Sequence, residues 1–214
     1  MYIFAGGLGS GKTEMALNVT SEKAEQRPVL ADLDLVNPYC CSREMEEKLQ
    51  EKGITFIGPP PELRLSDVPF MPAGIIGYLK SDRLIVLDVG GDEVGCNVLG
   101  YLSRYISVRD YSMYLVINPF RPYARTMDHV IGLRNSLEKA SRLKFSAIVS
   151  NPNLNLETLV DSVLEGHEIN LRFARELGLP IAYLAVEEGL ASEVIDKVKE
   201  KVYPIKIHLR PDWT

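Results

Sequence analysis

One short segment near the start of the chain has the residue types and spacing needed to hold a phosphate group. Residues 6–13 read Gly-Gly-Leu-Gly-Ser-Gly-Lys-Thr, the pattern G-x-x-x-x-G-K-[ST]. Glycines let the backbone curl so that its N–H groups point at phosphate oxygens, and a following helix adds the positive end of its dipole. Lys12 is predicted to reach the β- and γ-phosphates and Thr13 to bind Mg²⁺. The predicted nucleotide contacts here are Gly6, Gly7, Leu8, Gly9, Ser10, Gly11, Lys12, Thr13 and Glu14.

The residues on either side of this loop have the patterns that it requires. Residues 2–5 are a short β-prone apolar run, and residues 14–26 carry apolar side chains at helical spacing before Pro28. A functional phosphate-binding loop joins a strand to a helix. The context therefore favours that interpretation over a glycine-rich turn with an incidental lysine.

Apolar runs alternate with helical patterns along the rest of the chain. Strands are predicted at 29–33, 54–57, 84–87, 111–117, 145–150 and 181–185, and helices at 41–52, 92–106, 124–143, 157–177 and 190–201. Several strand runs are apolar throughout, which is typical of parallel strands buried on both faces. The sequence predicts a three-layer α/β/α fold with a mostly parallel central sheet, the P-loop NTPase architecture. Residues 203–209 are an expected edge strand, where a proline is tolerated.

Length and composition narrow the class of protein. The 214 residues fit a single nucleotide-binding domain over 1–214. A net charge of −5 and a pI near 5.3 argue against nucleic-acid binding. There is no stretch of about 18 apolar residues, so no membrane segment is expected. The chain begins directly on its first predicted strand, without a leader, and a cytoplasmic location is the expectation.

Acidic residues stand at the ends of two predicted strands. Asp32 and Asp34 follow the second strand, and Asp88 closes the apolar run at 84–87, followed by Gly91. Ligands of open parallel sheets bind at the carboxyl ends of the strands. A strand-end carboxylate there suits a Walker B role, because Mg²⁺ prefers hard oxygen ligands. Gly91 is positioned by its spacing to offer its amide to a γ-phosphate.

With these motifs the chain resembles the CobQ/CobB/MinD/ParA group of P-loop ATPases, which includes the nitrogenase iron protein, to about residue 190. The resemblance implies that Asp34 organises Mg²⁺ and the attacking water, that Asp88 is the Walker B residue, and that Gly91 is the switch II glycine. It also implies that Asn151 reads the adenine edge. The implied catalytic residues are Lys12, Asp34 and Asp88, and the implied Mg²⁺ ligands are Thr13, Asp34 and Asp88.

One position departs from this family. Members of the MinD type carry a second lysine where this chain has Gly7, and that lysine reaches the nucleotide of the partner subunit. No lysine precedes Lys12 in the loop. An added cation would have to come from elsewhere, and Arg43, Arg121 and Arg125 are the candidates. Without such a cation, hydrolysis is expected to be slow.

The base of the nucleotide can also be predicted. A guanine site of the usual kind needs N-K-x-D, whereas residues 151–154 read Asn-Pro-Asn-Leu. The absence of both the lysine and the aspartate favours ATP over GTP.

The leading hypothesis is a Mg-ATP-binding protein, a slow ATPase that acts as a nucleotide-dependent switch through loops 34–41 and 90–95. It would bind ATP and ADP, form a homodimer across the nucleotide face and act on an unidentified protein partner.

Three alternatives remain: a small-molecule kinase or ligase of the dethiobiotin-synthetase type, with loop 58–71 shaping an acceptor pocket; a metal-centre accessory ATPase; and a nucleotide-binding module without turnover. The accessory hypothesis rests on Cys40, Cys41 and Cys96, for which packing roles are favoured over metal binding. Asp92 and Glu93 either approach the attacking water or favour the start of a helix.

Overall fold

A computed structural model of the chain describes residues 1–34, 42–59, 71–72, 74–91 and 93–209, with the side chains of residues 43, 44, 93 and 94 excepted. Within these ranges, eight strands form one sheet in which every pairing is parallel. The strands are β1 (Tyr2–Ala5), β2 (Val29–Leu33), β3 (Thr55–Ile57), β4 (Ile85–Val89), β5 (Ser112–Ile117), β6 (Ala147–Ser150), β7 (Ile181–Glu187) and β8 (Val202–Ile205). The α-helices are α1 (Lys12–Glu22), α2 (Glu46–Glu51), α3 (Ile75–Leu79), α4 (Glu93–Ile106), α5 (Met127–Ser141), α6 (Val160–Leu177) and α7 (Glu188–Val194).

The order of the strands creates a crevice at the carboxyl end of β1. The spatial order is β3-β2-β4-β1-β5-β6-β7-β8. After β1 the chain builds the sheet to one side, through β2 to β4, and then returns to build the other side from β5 onward. Connections therefore diverge at the carboxyl end of β1, and a crevice forms at such a switch point in open α/β sheets. The loop at residues 6–13 occupies this place.

Side chains on the two faces of the sheet pack against different sets of helices. On one face, Phe4, Leu30 and Val86 pack with apolar residues of α1 and with Leu49 of α2. On the other face, Ile3 and Leu87 pack with residues of α3, α4, α5 and α6. Alternate strand residues thus point to opposite helical layers, as a parallel sheet covered on both faces requires. The three-layer prediction is confirmed.

Helix termini differ from the predicted ones where a local cap decides them. Helix α5 begins at Met127 because the Thr126 side chain accepts a hydrogen bond from the His129 amide at 3.3 Å. Residues 124–126 instead belong to a short 3₁₀ turn and this cap. Helix α6 ends at Leu177 as predicted, since Gly178 adopts φ 65°, the left-handed conformation of a C-terminal cap.

The end of the described chain also forms part of the sheet. Strand β8 pairs with β7 and accommodates Pro204 opposite Val186. The Leu184 amide donates to the Lys201 carbonyl, so alternate residues from 201 face β7 and Pro204 faces the outer edge, which has no strand neighbour among the described residues. The missing N–H of the proline therefore removes no ladder hydrogen bond. None of the helices in the described ranges has the length and apolar character that crossing a bilayer demands.

Candidate phosphate and metal site

The loop between β1 and α1 is held from the neighbouring end of β6. Gly11 precedes α1 with φ 94°, and a Cβ atom added there would lie 2.1 Å from Asn151 Nδ2. That nitrogen donates a hydrogen bond to the Ser10 carbonyl at 2.7 Å. Because both the dihedral angle and this contact exclude a side chain, glycine is required at position 11. Asn151 thus fixes the turn that leads into the helix.

Lys12 and Gly91 face each other across the space in which a phosphate would bind. The Lys12 side chain is 6% exposed, and its Nζ donates to the Gly7 carbonyl at 3.2 Å. A Cβ atom added to Gly91 would lie 3.1 Å from Nζ and 3.0 Å from the Leu8 amide nitrogen. Gly91 therefore leaves open the volume next to the lysine, and a side chain there would fill it.

Three buried carboxylates converge at the ends of β2 and β4. Asp32 and Asp88 are neighbours in the sheet register, and both are fully buried. Asp34 is 8% exposed, and its backbone amide donates to Asp32 Oδ1 at 3.0 Å. Burial, followed by the negative charge of Asp32, raises the pKa of Asp88 to about 8, and the positive charge of Lys12 opposes that shift. Asp88 therefore holds its proton to a higher pH than an exposed aspartate does.

The donor set fits a magnesium ion that is shared with phosphates. Thr13 Oγ1 donates to Asp88 Oδ1 at 3.3 Å, while Asp88 Oδ2 is buried and has no hydrogen-bond partner among the described residues. No group of three His, Cys, Asp or Glu side chains in those residues forms a complete metal cage. Mg²⁺ in nucleotide sites needs only one or two protein ligands, and water and phosphate supply the rest. A hydroxyl beside an unpartnered carboxylate oxygen matches that requirement.

The loop after β5 covers the outer side of the phosphate-binding loop. A Cβ atom added to Gly9 would lie 3.3 Å from Arg121 Nε, and one added to Gly7 would lie 3.1 Å from Tyr123 Cβ. Tyr123 itself is 55% exposed. Tyr123 thus packs against Gly7, the position at which the MinD type carries its extra lysine. The sequence alone did not indicate this contact.

A buried asparagine joins the loops that follow β5 and β6. Asn118 is 2% exposed, its Nδ2 donates to the Asn153 carbonyl at 2.8 Å, and its Oδ1 accepts from the Phe120 amide at 3.2 Å. The role of this residue was not predicted from the sequence, although a polar side chain directly after the apolar run at 111–117 is a signal of the same kind as Asp88.

Glu14 connects α1 to the last described segment of the chain. Its carboxylate accepts hydrogen bonds from the backbone amides of His208, at 3.0 Å and 3.1 Å, and of Leu209, at 2.7 Å. One turn later, Asn18 exchanges two hydrogen bonds of 2.8 Å with the backbone of Lys206. The side chain of Glu14 therefore has a structural contact. If residue 14 contacts a phosphate as predicted, its backbone amide would make that contact.

The remaining candidates lie apart from the loop or beyond the described residues. Arg125 is exposed, and Cys96 is fully buried within the core. Outside the described part of the chain lie Cys40, Cys41, Asp92, the side chains of Arg43 and Glu93, and residues 60–70 of the suggested acceptor loop.

Comparisons with known proteins agree with this architecture. No protein-family model and no curated protein matches the sequence. The structure is similar to cell division protein FtsY from Thermotoga maritima (17% identity, 88% of this chain, 62% of that chain, TM-score 0.60). It is also similar to signal recognition particle 54 kDa protein from Aeropyrum pernix K1 in complex with GDP (14% identity, 84% of this chain, 39% of that chain, TM-score 0.53). A third similar structure is a nucleotide-binding protein from Archaeoglobus fulgidus in complex with ADP (16% identity, 99% of this chain, 89% of that chain, TM-score 0.50).

These likenesses define the class of fold. The chain spans less than two thirds of the length of the FtsY and signal recognition particle proteins that it matches first, at 62%, 58% and 39%. At such low identity the likeness concerns the fold, which is that of the P-loop nucleoside triphosphatases.

Proposed function

We propose that this protein binds a Mg²⁺-nucleoside triphosphate, ATP in preference to GTP, and hydrolyses it slowly as a nucleotide-dependent switch. One observation carries the proposal. Asp88 Oδ2 is buried without a partner among the described residues, next to Thr13 Oγ1, where β4 meets the phosphate-binding loop. A buried carboxylate oxygen of this kind costs stability unless a ligand satisfies it.

Each group has a role that follows from its position. Lys12 neutralises charge on the β- and γ-phosphates, and the backbone amides of residues 8–13 surround their oxygens. Asp34, at the end of β2, orients the attacking water, and Gly91 offers its amide to the γ-phosphate. Mg²⁺, held by Thr13 and by Asp88 directly or through water, would neutralise charge on the bridged phosphates.

The preference for ATP rests on the segment after β6. Pro152 and Leu154 stand where N-K-x-D places its lysine and its guanine-reading aspartate, and Pro152 packs closely against Gly166 of α6. Leu154 is 37% exposed and offers no acceptor for the guanine edge. The similar structures in complex with GDP and with ADP support a purine nucleotide without choosing between the bases.

The motifs favour the MinD/ParA group within the P-loop class, and with it a nucleotide-dependent homodimer and a protein partner. Cytoplasmic location belongs to the same proposal. Gel filtration with Mg²⁺ and a non-hydrolysable ATP analogue tests the dimer, and an unchanged elution volume would count against it.

Equilibrium titration with fluorescent ATP and GTP analogues tests the central proposal. ATP is expected to displace the probe at least tenfold more effectively than GTP, with binding that weakens when EDTA removes Mg²⁺. Lys12→Ala is expected to abolish binding, because it removes the cation of the loop. Lys139→Ala, an exposed lysine of α5, is the matched control and should bind normally. Binding that survives Lys12→Ala would place the nucleotide elsewhere.

A further inference from the structure

An arginine side chain lies directly against the phosphate-binding loop. A Cβ atom added to Gly9 would meet Arg121 Nε at 3.3 Å, Cδ at 3.5 Å and Cγ at 3.8 Å. The arginine therefore runs along the middle of the loop whose backbone amides are expected to hold the phosphates. Arg125 belongs to the same connection between β5 and α5, but it is exposed.

The Arg121 side chain has a buried donor that is suited to an anion. Its Nε is buried and has no acceptor among the described residues. The guanidinium group carries five N–H donors and stays charged at any physiological pH. A buried charged donor without an acceptor costs free energy, which an anion would recover. Phosphate oxygens suit the fork of N–H groups that arginine presents.

The loop that carries Arg121 is held at both of its ends. At its start, Asn118 bonds to the Phe120 amide and to the Asn153 carbonyl. At its end, Thr126 caps α5. Between them, Tyr123 packs over Gly7. The backbone from which the Arg121 side chain projects is therefore held in place before a nucleotide binds, and such preorganisation favours charge stabilisation.

We propose that Arg121 is a cation supplied in cis, which contacts the bound nucleotide at its β- and γ-phosphates and stabilises the charge that develops during hydrolysis. The proposal rests on the proposed function and deepens it, because it gives the site an activating group from its own chain. Water attacks the γ-phosphorus, and the bond from that atom to the β,γ-bridging oxygen breaks. The electron pair stays on the bridging oxygen, so the products are nucleoside diphosphate, inorganic phosphate and one proton. Arg121 stabilises the negative charge on that leaving oxygen.

Single-turnover hydrolysis of radiolabelled Mg-ATP tests this role with three variants. Arg121→Ala is expected to lower the rate constant by about 100-fold or more, the usual loss for a charge-stabilising group. Arg121→Lys should give an intermediate rate, because it keeps the charge but not the planar fork. Arg125→Ala is the control from the same loop and should match wild type.

Binding measurements separate the proposed role from a structural one. Arg121→Ala should weaken ADP modestly, through the lost contact with its β-phosphate, and weaken ADP with aluminium fluoride by a much larger factor, similar to the loss in rate, since that complex resembles the transferring phosphoryl group. Added guanidinium should restore part of the activity of Arg121→Ala. A variant with the wild-type rate would overturn this inference and leave the proposed function intact.

Two further outcomes would also decide the matter. If Arg121→Ala and Arg121→Lys lower the melting temperature and ADP affinity equally, without rescue by guanidinium, Arg121 only supports the loop and the inference is wrong. If wild-type protein binds no nucleotide, or binds it without turnover, the proposed hydrolysis fails first and this inference fails with it.

Discussion

Asp88 would meet opposite demands in the empty protein and in the proposed complex with Mg²⁺ and a nucleotide. Without a ligand, it is a fully buried carboxyl group beside Asp32 and Asp34, and burial together with the negative charge of Asp32 raises its pKa to about 8. As the proposed ligand of Mg²⁺, the same carboxyl group would have to release its proton. The residue that suits the metal is therefore a source of instability in the empty fold.

This conflict predicts how stability depends on pH in the absence of ligand. In the unfolded chain the carboxyl group releases its proton near its ordinary pKa of 3.8, whereas in the folded chain it keeps the proton to about pH 8. The folded state therefore binds more protons between these values, and the free energy of unfolding falls as pH rises, by up to ~1.4 kcal/mol per unit. Asp88→Asn, which is neutral throughout, should not show this loss.

Thermal denaturation in EDTA from pH 5 to pH 8 measures the effect. The melting temperature of Asp88→Asn is expected to rise relative to wild type as pH increases, while Mg²⁺-dependent nucleotide binding is lost. Asp196→Asn, at an exposed position, should run parallel to wild type. A constant difference between Asp88→Asn and wild type across the range would contradict the buried-charge account.

At the scale of elements, strand β6 positions the phosphate-binding loop through one side chain. Asn151, at the end of β6, donates to the Ser10 carbonyl and fills the space above Gly11. The family resemblance gives this same asparagine the role of reading adenine. The two roles predict different consequences of a substitution, since one concerns the loop and the other the base.

Asn151→Ala distinguishes them. If the contact with Ser10 dominates, ATP and GTP should both bind more weakly by a similar factor, about tenfold, because a buried carbonyl loses its donor at a cost of roughly 1–3 kcal/mol. Competition titration of both nucleotides measures the ratio. A selective loss of ATP affinity would instead support base reading, and Asn135→Ala, at an exposed site within α5, provides the control.

The elements differ in how far the sequence determined them. The residues of β1 are apolar along its length, those of β2 are apolar except for Asp32, and both strands were predicted at their observed bounds. Helix α3 was missed because five residues, Ile-Ile-Gly-Tyr-Leu, are too few to show a helical period. Helix α7 ends at Val194, short of the predicted 201, because the chain turns there into 3₁₀ structure and then β8.

The residues of the candidate site also differ in whether the sequence could predict them. Its motif residues were predictable because their spacing follows from the chemistry of phosphate and magnesium, as at Lys12 and Asp88. The contacts of Arg121, Tyr123 and Asn118 were not, because they depend on how two loops pack across the sheet. Arg121 was one of three candidate cations in the sequence, and its contact with Gly9 and its buried Nε distinguish it from the exposed Arg125.

At the scale of the whole molecule, ligand binding should stabilise the fold measurably. At 100 times its Kd, a nucleotide that binds only the folded state adds about 2.7 kcal/mol. A chain of this size gains roughly 2–4 °C per kcal/mol, so the melting temperature should rise by about 5–10 °C. Differential scanning fluorimetry with Mg-ATP, with ATP and EDTA, and with Lys12→Ala measures this. A shift that Lys12→Ala retains would show binding at another place.

The contacts of Glu14 and Asn18 have a consequence for synthesis of the protein. Both side chains belong to the helix that follows the phosphate-binding loop, yet their partners are the backbone of residues 206, 208 and 209. A ribosome that has made the loop and its helix has not yet made those partners. The nascent chain can therefore build most of the sheet, but the helix behind the phosphates gains its last polar contacts only after residue 209 has left the exit tunnel. Under the proposed function, nucleotide capture should therefore not precede the emergence of residues 206–209.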